Sequence, residues 1–188
     1  LTTSDQPMTG IGGDDGQLGG EFTLQGIDGP VSLSDFRGKV VLIYFGFVNC
    51  KKVCPSSMAV LQNSMKKLDE AQAAQVQGIL ISIDPARDSK ADLAEFAANY
   101  HSNIIGLTGT EKQIEAVSLD YGALFEMTDA QRNDADYRFH HSSRYYVVNQ
   151  QGELVDAMRH STTSNELAAR IRQLLETNSA GTNKGSQS

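Results

Sequence analysis

The run Lys39-Val-Val-Leu-Ile-Tyr-Phe-Gly-Phe47 places apolar side chains at consecutive positions rather than at alternate ones. A strand with one solvated face alternates, so this one must be covered on both faces, by layers above and below a sheet. It is too short to cross a membrane, and nowhere does the chain offer the run of about 18 apolar residues that a spanning helix needs. Gly78-Ile-Leu-Ile-Ser-Ile83 repeats the pattern as a second buried strand. A layered α/β domain follows, and 188 residues suffice for one proper core while giving no case for two.

The remaining pattern fills in around these strands. Phe22–Leu24 and Val31–Leu33, separated by Gly26-Ile-Asp-Gly-Pro30, read as a short hairpin. Cys54, Met58, Leu61, Met65 and Leu68 recur at alternating intervals of four and three, which puts them on one face of a helix. Leu93, Phe96, Ala97 and Tyr100 predict a second helix entered through Ser89-x-x-Asp92. Thr110-x-x-Gln113 is a capping box opening a third, with Ile114, Val117 and Tyr121 on its inner face. Arg144–Val148 and Leu154–Met158 then form a hairpin across Gln150-Gln-Gly152, and Thr163-x-x-Glu166 caps a closing helix bearing Leu167, Ile171, Leu174 and Leu175.

The order is β-α-β-α, an insertion at about 102–138, then β-β-α. That is the thioredoxin-like fold: a central mixed sheet flanked by helices, here preceded by an N-terminal hairpin. The domain is expected over residues 20–176. Residues 1–19, rich in glycine and poor in apolar side chains, read as a flexible tether, and 177–188 as a disordered tail. The chain starts at Leu1 with no charged-then-apolar leader, which reads as a trimmed or mature form whose signal or anchor lies elsewhere. With 16 basic and 23 acidic residues the net charge is −7, which gives no electrostatic case for binding nucleic acid.

Both cysteines of the chain lie in Gly46-Phe-Val-Asn-Cys-Lys-Lys-Val-Cys-Pro55, between the first central strand and the helix that follows. Open α/β sheets put their sites in loops at the carboxyl ends of central strands. As small buried hydrophobes the pair would be ordinary, but two sulfurs concentrated at a helix entrance fit that reading badly. A helix N-terminus favours thiolate over thiol, and Lys51 and Lys52 push the same way unless they are simply solvated. Two nearby thiolates can oxidise to a disulfide or share a soft ion such as Cu(I). A third, imidazole ligand would help the metal. His101 and His160 take the usual reading of surface or core residues, whereas His140 and His141 immediately precede Arg144–Val148, the strand expected beside the first central one. Its beginning should lie where that first strand finishes.

In these residues the chain resembles the Sco/SenC proteins, over roughly residues 20–176. The resemblance rests on Leu33-Ser-Asp-Phe-Arg-Gly-Lys-Val-Val41, Cys50-x-x-x-Cys54-Pro55, Ser82-Ile-Asp-Pro-Ala-Arg-Asp88, and His141-Ser142 before a Tyr-rich strand. It implies a thioredoxin fold and a copper-binding role in assembling the binuclear copper centre of cytochrome c oxidase. Cys50, Cys54 and His141 match the family's copper ligands, with His140 the alternative; the cysteines would also be the redox-active pair. Cu(I) would be the ion, and apo-cytochrome c oxidase subunit II or another copper-accepting protein the partner. The resemblance further implies a periplasmic or other extracytoplasmic location, with membrane attachment only through a tether outside this chain. Asp84-Pro85 and Arg87-Asp88 match a strand-to-helix turn and read as turn and capping chemistry. The family commonly has Pro-Asp at Lys51-Lys52 and Asp at His140.

The competing reading is an enzyme, a thiol–disulfide oxidoreductase with no obligatory copper role. A peroxidase is disfavoured because no threonine lies three residues before either cysteine. Zinc would need a fourth ligand, for which His140 is the close candidate.

Overall fold

The computed structural model describes residues 18–48, 55–123 and 144–177 with their side chains, and the backbone alone at 53, 54 and 178–183. The fully apolar run becomes β3 (Val40–Gly46), buried at all seven positions. It lies between β4 (Val76–Ser82), which is parallel to it, and β6 (Arg144–Val148), which is antiparallel. With β5 (Ile104–Leu107) and β7 (Leu154–Arg159) outside these, the sheet order is β5-β4-β3-β6-β7. β4 is likewise buried throughout. This mixed sheet, covered by helices, is a thioredoxin-like α/β fold.

The two β-α-β connections set the layers. A right-handed crossover between parallel neighbours puts both crossover helices on one face when the strands progress in one direction. The helices concerned are α1 (Val53–Lys66), between β3 and β4, and α3 (Lys90–Tyr100), between β4 and β5. Between α1 and β4 lies a single turn, α2 (Glu70–Ala73), closed by a capping box between Asp69 and Gln72. Met58, Leu61, Met65 and Leu68 are buried, as the four-three spacing requires. α5 (Ser164–Asn183) packs beside α1, burying Leu167, Ala168 and Ile171 completely. Its backbone stays helical to Asn183, past the point where the sequence suggests a tail, because each added residue of an established helix gains a hydrogen bond at little further entropy loss.

Aromatic residues fill the opposite face. Tyr121, at the end of α4 (Glu111–Asp120), meets Phe22, Phe45 and Tyr146 at ring-centroid distances of 6.0, 6.3 and 6.0 Å. Its hydroxyl donates to the carbonyl of Gly20 at 2.8 Å, while Gly19 N–H donates to the Asp120 carbonyl at 2.6 Å. The entering chain is thereby strapped to α4. The hairpin β1 (Thr23–Gly26) and β2 (Gly29–Ser32) follows, with a short 3-10 turn at Leu33–Phe36. Gln25 and Thr108 exchange backbone hydrogen bonds of 2.7 and 2.9 Å, which ties the hairpin to the end of the outer strand β5 and blunts that sheet edge.

The inserted segment at 102–138 adds a strand to the sheet that the sequence does not mark. It opens with β5, a full member of the sheet, followed by α4. Ile104-Ile-Gly-Leu107 is four residues long and interrupted by glycine, so neither alternation nor length marks it as a strand. The glycine has its own cause. A Cβ at Gly106 would sit 2.6 Å from the Leu93 carbonyl oxygen and 2.8 Å from its Cβ, because α3 lies directly on β5. Residues 124–138, the remainder of the segment, lie outside the described residues.

Gly106→Ala should therefore push α3 off the sheet and cost about 1–3 kcal/mol. The expected result is a fall in the urea midpoint with an unchanged denaturant slope, read by circular dichroism.

Candidate functional site

Cys50, His140 and His141 lie outside the described residues, as do Lys51 and Lys52. Cys54 is described by its backbone, as the second residue of α1. The elements that lead into and out of this set are described. β3 delivers the chain to Phe47 and Val48, and the helix begins five residues later at Val53. On the other side, β6 begins at Arg144, three residues after His141. The pairing Ile43↔Tyr146, carried on two residues, sets Arg144 level with Phe45. The end of β3 and the start of β6 therefore share one end of the sheet.

That end is built on buried polar chemistry from the β4–α3 connection. Ser82, Asp84 and Asp88 are all buried. The Asp84 carbonyl accepts from the N–H groups of Arg87 and Asp88 at 3.1 and 3.0 Å, and its carboxylate pairs with the Arg87 guanidinium at 3.1 Å. This is the turn the sequence suggests. Helix capping falls to Ser89, whose hydroxyl accepts from Asp92 N–H at 3.1 Å. Asp88 does something else. Its Oδ2 accepts from the Ser82 hydroxyl at 2.8 Å and from the Val48 N–H at 3.1 Å, across 40 residues of sequence. Burial raises the Asp88 carboxyl above its ordinary pKa; the bonds from Ser82 and Val48 oppose the shift, while the charges of Asp84 and Asp92 add to it. A second tie, Ile83 N–H to the Gly46 carbonyl at 2.8 Å, holds the ends of β3 and β4 together.

Beneath this end, the two faces of β3 are packed with rings. Tyr44 and Tyr145 lie 5.6 Å apart, and Phe45 meets Tyr146 edge-on at 5.5 Å. Burial pushes the Tyr146 phenol up to about 12, against the opposing charge of Arg144. Burial raises the Tyr145 phenol in the same direction, so these two hydroxyls stay protonated at physiological pH and act as packing rather than as acids.

The other histidines separate. His160 follows β7 directly, and Arg159 pairs with Arg144, so His160 lies at the same end of the sheet as the start of β6. His101 ends α3 and precedes β5, at the opposite end. Its Nδ1 accepts from Asn103 N–H at 3.0 Å, the satisfied role that the sequence suggests. Among the described residues, no group of three or more His, Cys, Asp or Glu is arranged to hold a metal ion. Nor is any described helix long and apolar enough to cross a membrane.

The mixed sheet and a crossover helix that starts just beyond the carboxyl end of the central strand, with Cys54 as its second residue, define a thioredoxin-like protein. Within that class the chain belongs to the SCO1/SenC family, whose model matches residues 12–176. It is 32% identical over 160 residues to the mitochondrial protein SCO2 of Saccharomyces cerevisiae, covering 85% of this chain and 53% of that one. It is 33% identical over 156 residues to the mitochondrial SCO2 homologue of Mus musculus, covering 82% and 61%. The chain thus spans little more than half the length of these two relatives. Among solved structures, yeast Sco1 with copper bound superimposes with a TM-score of 0.69 at 29% identity, over 85% of this chain and 93% of that one. BsSco, described as a member of the Sco family of cytochrome c oxidase assembly proteins with a disulfide switch, gives 0.68 at 28%, over 84% and 93%.

His101 yields a pH test. Burial, and secondarily the charge of Lys66, lower its pKa below the ordinary 6.5. The folded protein therefore favours neutral imidazole, and protonation would also remove the acceptor that Asn103 uses. This stability is present above pH 6.5 and is lost as pH falls through the lowered value. Urea midpoints of the wild type should decline across that window, and those of His101→Gln should decline less. Parallel profiles would remove His101 as the cause.

Proposed function

We propose that this protein is a copper-binding assembly factor for the binuclear copper centre of cytochrome c oxidase. It takes up one Cu(I) as cargo between the thiolates of Cys50 and Cys54 and the imidazole of His141, and passes it to a copper-accepting protein such as apo-subunit II. The observation that carries this reading is the family membership together with the Cys50-x-x-x-Cys54-Pro55 and His141-Ser142 motifs. The copper bound to the yeast relative supports it. So does donor chemistry: two thiolates and an imidazole form a soft set that suits Cu(I). Residues 20–176 are the working domain, and residues 1–19 the tether, in a protein that acts outside the cytoplasm and is anchored to a membrane ahead of this chain.

A second reading, thiol–disulfide exchange, is favoured by Lys51-Lys52. One thiolate attacks a target disulfide, giving a mixed disulfide and releasing one target thiolate. The second cysteine then displaces the other, leaving Cys50–Cys54 oxidised and the target reduced. Two cations beside the sulfurs raise the thiolate fraction available for that attack.

Anaerobic titration of the reduced protein is expected to give one Cu(I) per chain. Substituting either Cys50 or Cys54 should abolish tight binding, and His141→Ala should weaken it more than His140→Ala. Equal losses at the two histidines would sink the assignment of His141. Oxidation to the disulfide should release the ion, since no thiolate remains.

The lysines separate the two readings. Replacing Lys51-Lys52 by Pro-Asp should raise the thiol pKa and slow reaction with a small disulfide reagent. If copper delivery is the task, the variant should still transfer Cu(I) to an apo-oxidase fragment; if exchange is the task, reductase activity should drop while copper binding persists. Coincident curves of cysteine reactivity against pH would mean that the lysines are only solvated.

A further inference from the structure

We propose that Asp88 is a positioning residue for the cysteine loop: its buried carboxylate anchors Val48, two residues before Cys50, and so fixes the point from which that loop departs. The inference rests on the reading of Cys50 and Cys54 as the working sulfurs and adds a residue outside the ligand set.

Three observations carry it. Asp88 is 3% exposed and Ser82 fully buried, so this carboxylate is withdrawn from water at a point where the local turn makes no demand for it. Its own N–H is taken by the Asp84 carbonyl, Arg87 pairs with Asp84, and Ser89 caps the helix. Among the described residues the Asp88 Oδ2 receives both the Ser82 hydroxyl at 2.8 Å and the Val48 N–H at 3.1 Å. The second bond joins the exit of β3 to the entrance of α3, 40 residues on. With the Ile83 N–H to Gly46 carbonyl bond of 2.8 Å, the chain is pinned at Gly46 and again at Val48.

The chemistry explains why a carboxylate is used. A backbone N–H at a strand exit can be satisfied by water or by a neutral side chain, and a buried carboxylate is expensive unless it is well hydrogen-bonded. A hydrogen bond to an ionised carboxylate is about twice as strong as a neutral one, so it resists displacement of its donor. Two sulfurs that must converge on one ion, or on each other, are sensitive to such placement. Loss of outer partners that orient metal ligands typically weakens binding about 10- to 100-fold.

The test uses the full chain in four forms beside the wild type: Asp88→Ala, Asp88→Asn, Ser82→Ala, and Gln150→Ala as a control. Gln150 is buried and donates to the Leu174 carbonyl at 3.1 Å, in the β6–β7 turn at the far end of the sheet. Two quantities are read: affinity for Cu(I), by competition with a chromophoric chelator, and the rate at which the reduced cysteines attack a small aromatic disulfide. Urea midpoints report stability in parallel.

Asp88→Ala should weaken Cu(I) binding about 10- to 100-fold and change the thiol rate. Asp88→Asn, which keeps an acceptor oxygen for Val48, should restore most of both, and Ser82→Ala should give a smaller loss in the same direction. Gln150→Ala should lower the urea midpoint and leave both site readouts at the wild-type level. If Asp88→Ala matches Gln150→Ala in both site readouts, the inference is overturned and Asp88 is only a stability residue. Should Asp88→Ala fail to fold, Ser82→Ala decides: an altered thiol rate upholds the inference, and an unaltered one overturns it. A wild type that binds no Cu(I) defeats the copper reading alone. The thiol rates of the same variants then judge Asp88 by themselves.

Discussion

The pairing of β3 on both edges is the constraint on which everything else hangs. Parallel to β4 on one side and antiparallel to β6 on the other, its backbone groups are satisfied without solvent, and its side chains are free to be apolar on both faces. That saturation lets the strand sit in the centre of the molecule. It also dictates that the chain can emerge only at the strand's end, where the next residues have no ladder to join.

The emergence is where polar groups are buried. Along the strands the interior is aliphatic and aromatic, and the hydrogen bonds belong to the sheet. At the carboxyl ends of β3 and β4 the pattern changes: Ser82, Asp84 and Asp88 are withdrawn from water and bonded to one another's backbones and side chains. Nearness to the cysteine loop gives this cluster a meaning that a similar turn elsewhere would lack. The Tyr121 group does the corresponding work on the other face with rings in place of carboxylates. There the Tyr121 hydroxyl, bonded to the Gly20 carbonyl, ties the packed rings to the entering chain.

Features written in local chemistry are legible in the sequence. The Ser89, Thr110 and Thr163 caps each bond to the residue three further on, because a cap needs only its own first turn. The helix face from Met58 to Leu68 is legible because burial on one side imposes a period, and the strand at Val40–Gly46 because burial on both sides leaves an unbroken apolar run. β5 is not, since four residues with a central glycine carry no period, and its glycine answers to Leu93 on another element. Asp88 was misread for a related reason. An aspartate one residue before a helix cap looks like turn chemistry, and nothing local reveals that its partner lies 40 residues earlier. The candidate ligands Cys50, Cys54 and His141 were picked out by motif and element order, which name residues without fixing their atoms.

The strap at the start of the domain has a mechanical consequence. Tension applied through residue 18 meets the Gly19 and Gly20 bonds to α4 before it reaches the hairpin or the sheet. Those two bonds, backed by the edge-on contact of Phe22 with Tyr121, act as a strain relief of the kind that protects a cable where it enters its housing. Load is passed to a helix lying on the sheet rather than to the hydrogen-bond ladder of β3. Tension entering at that point would be shared with α4 and the rings around Tyr121 before it reached the register of the central strand.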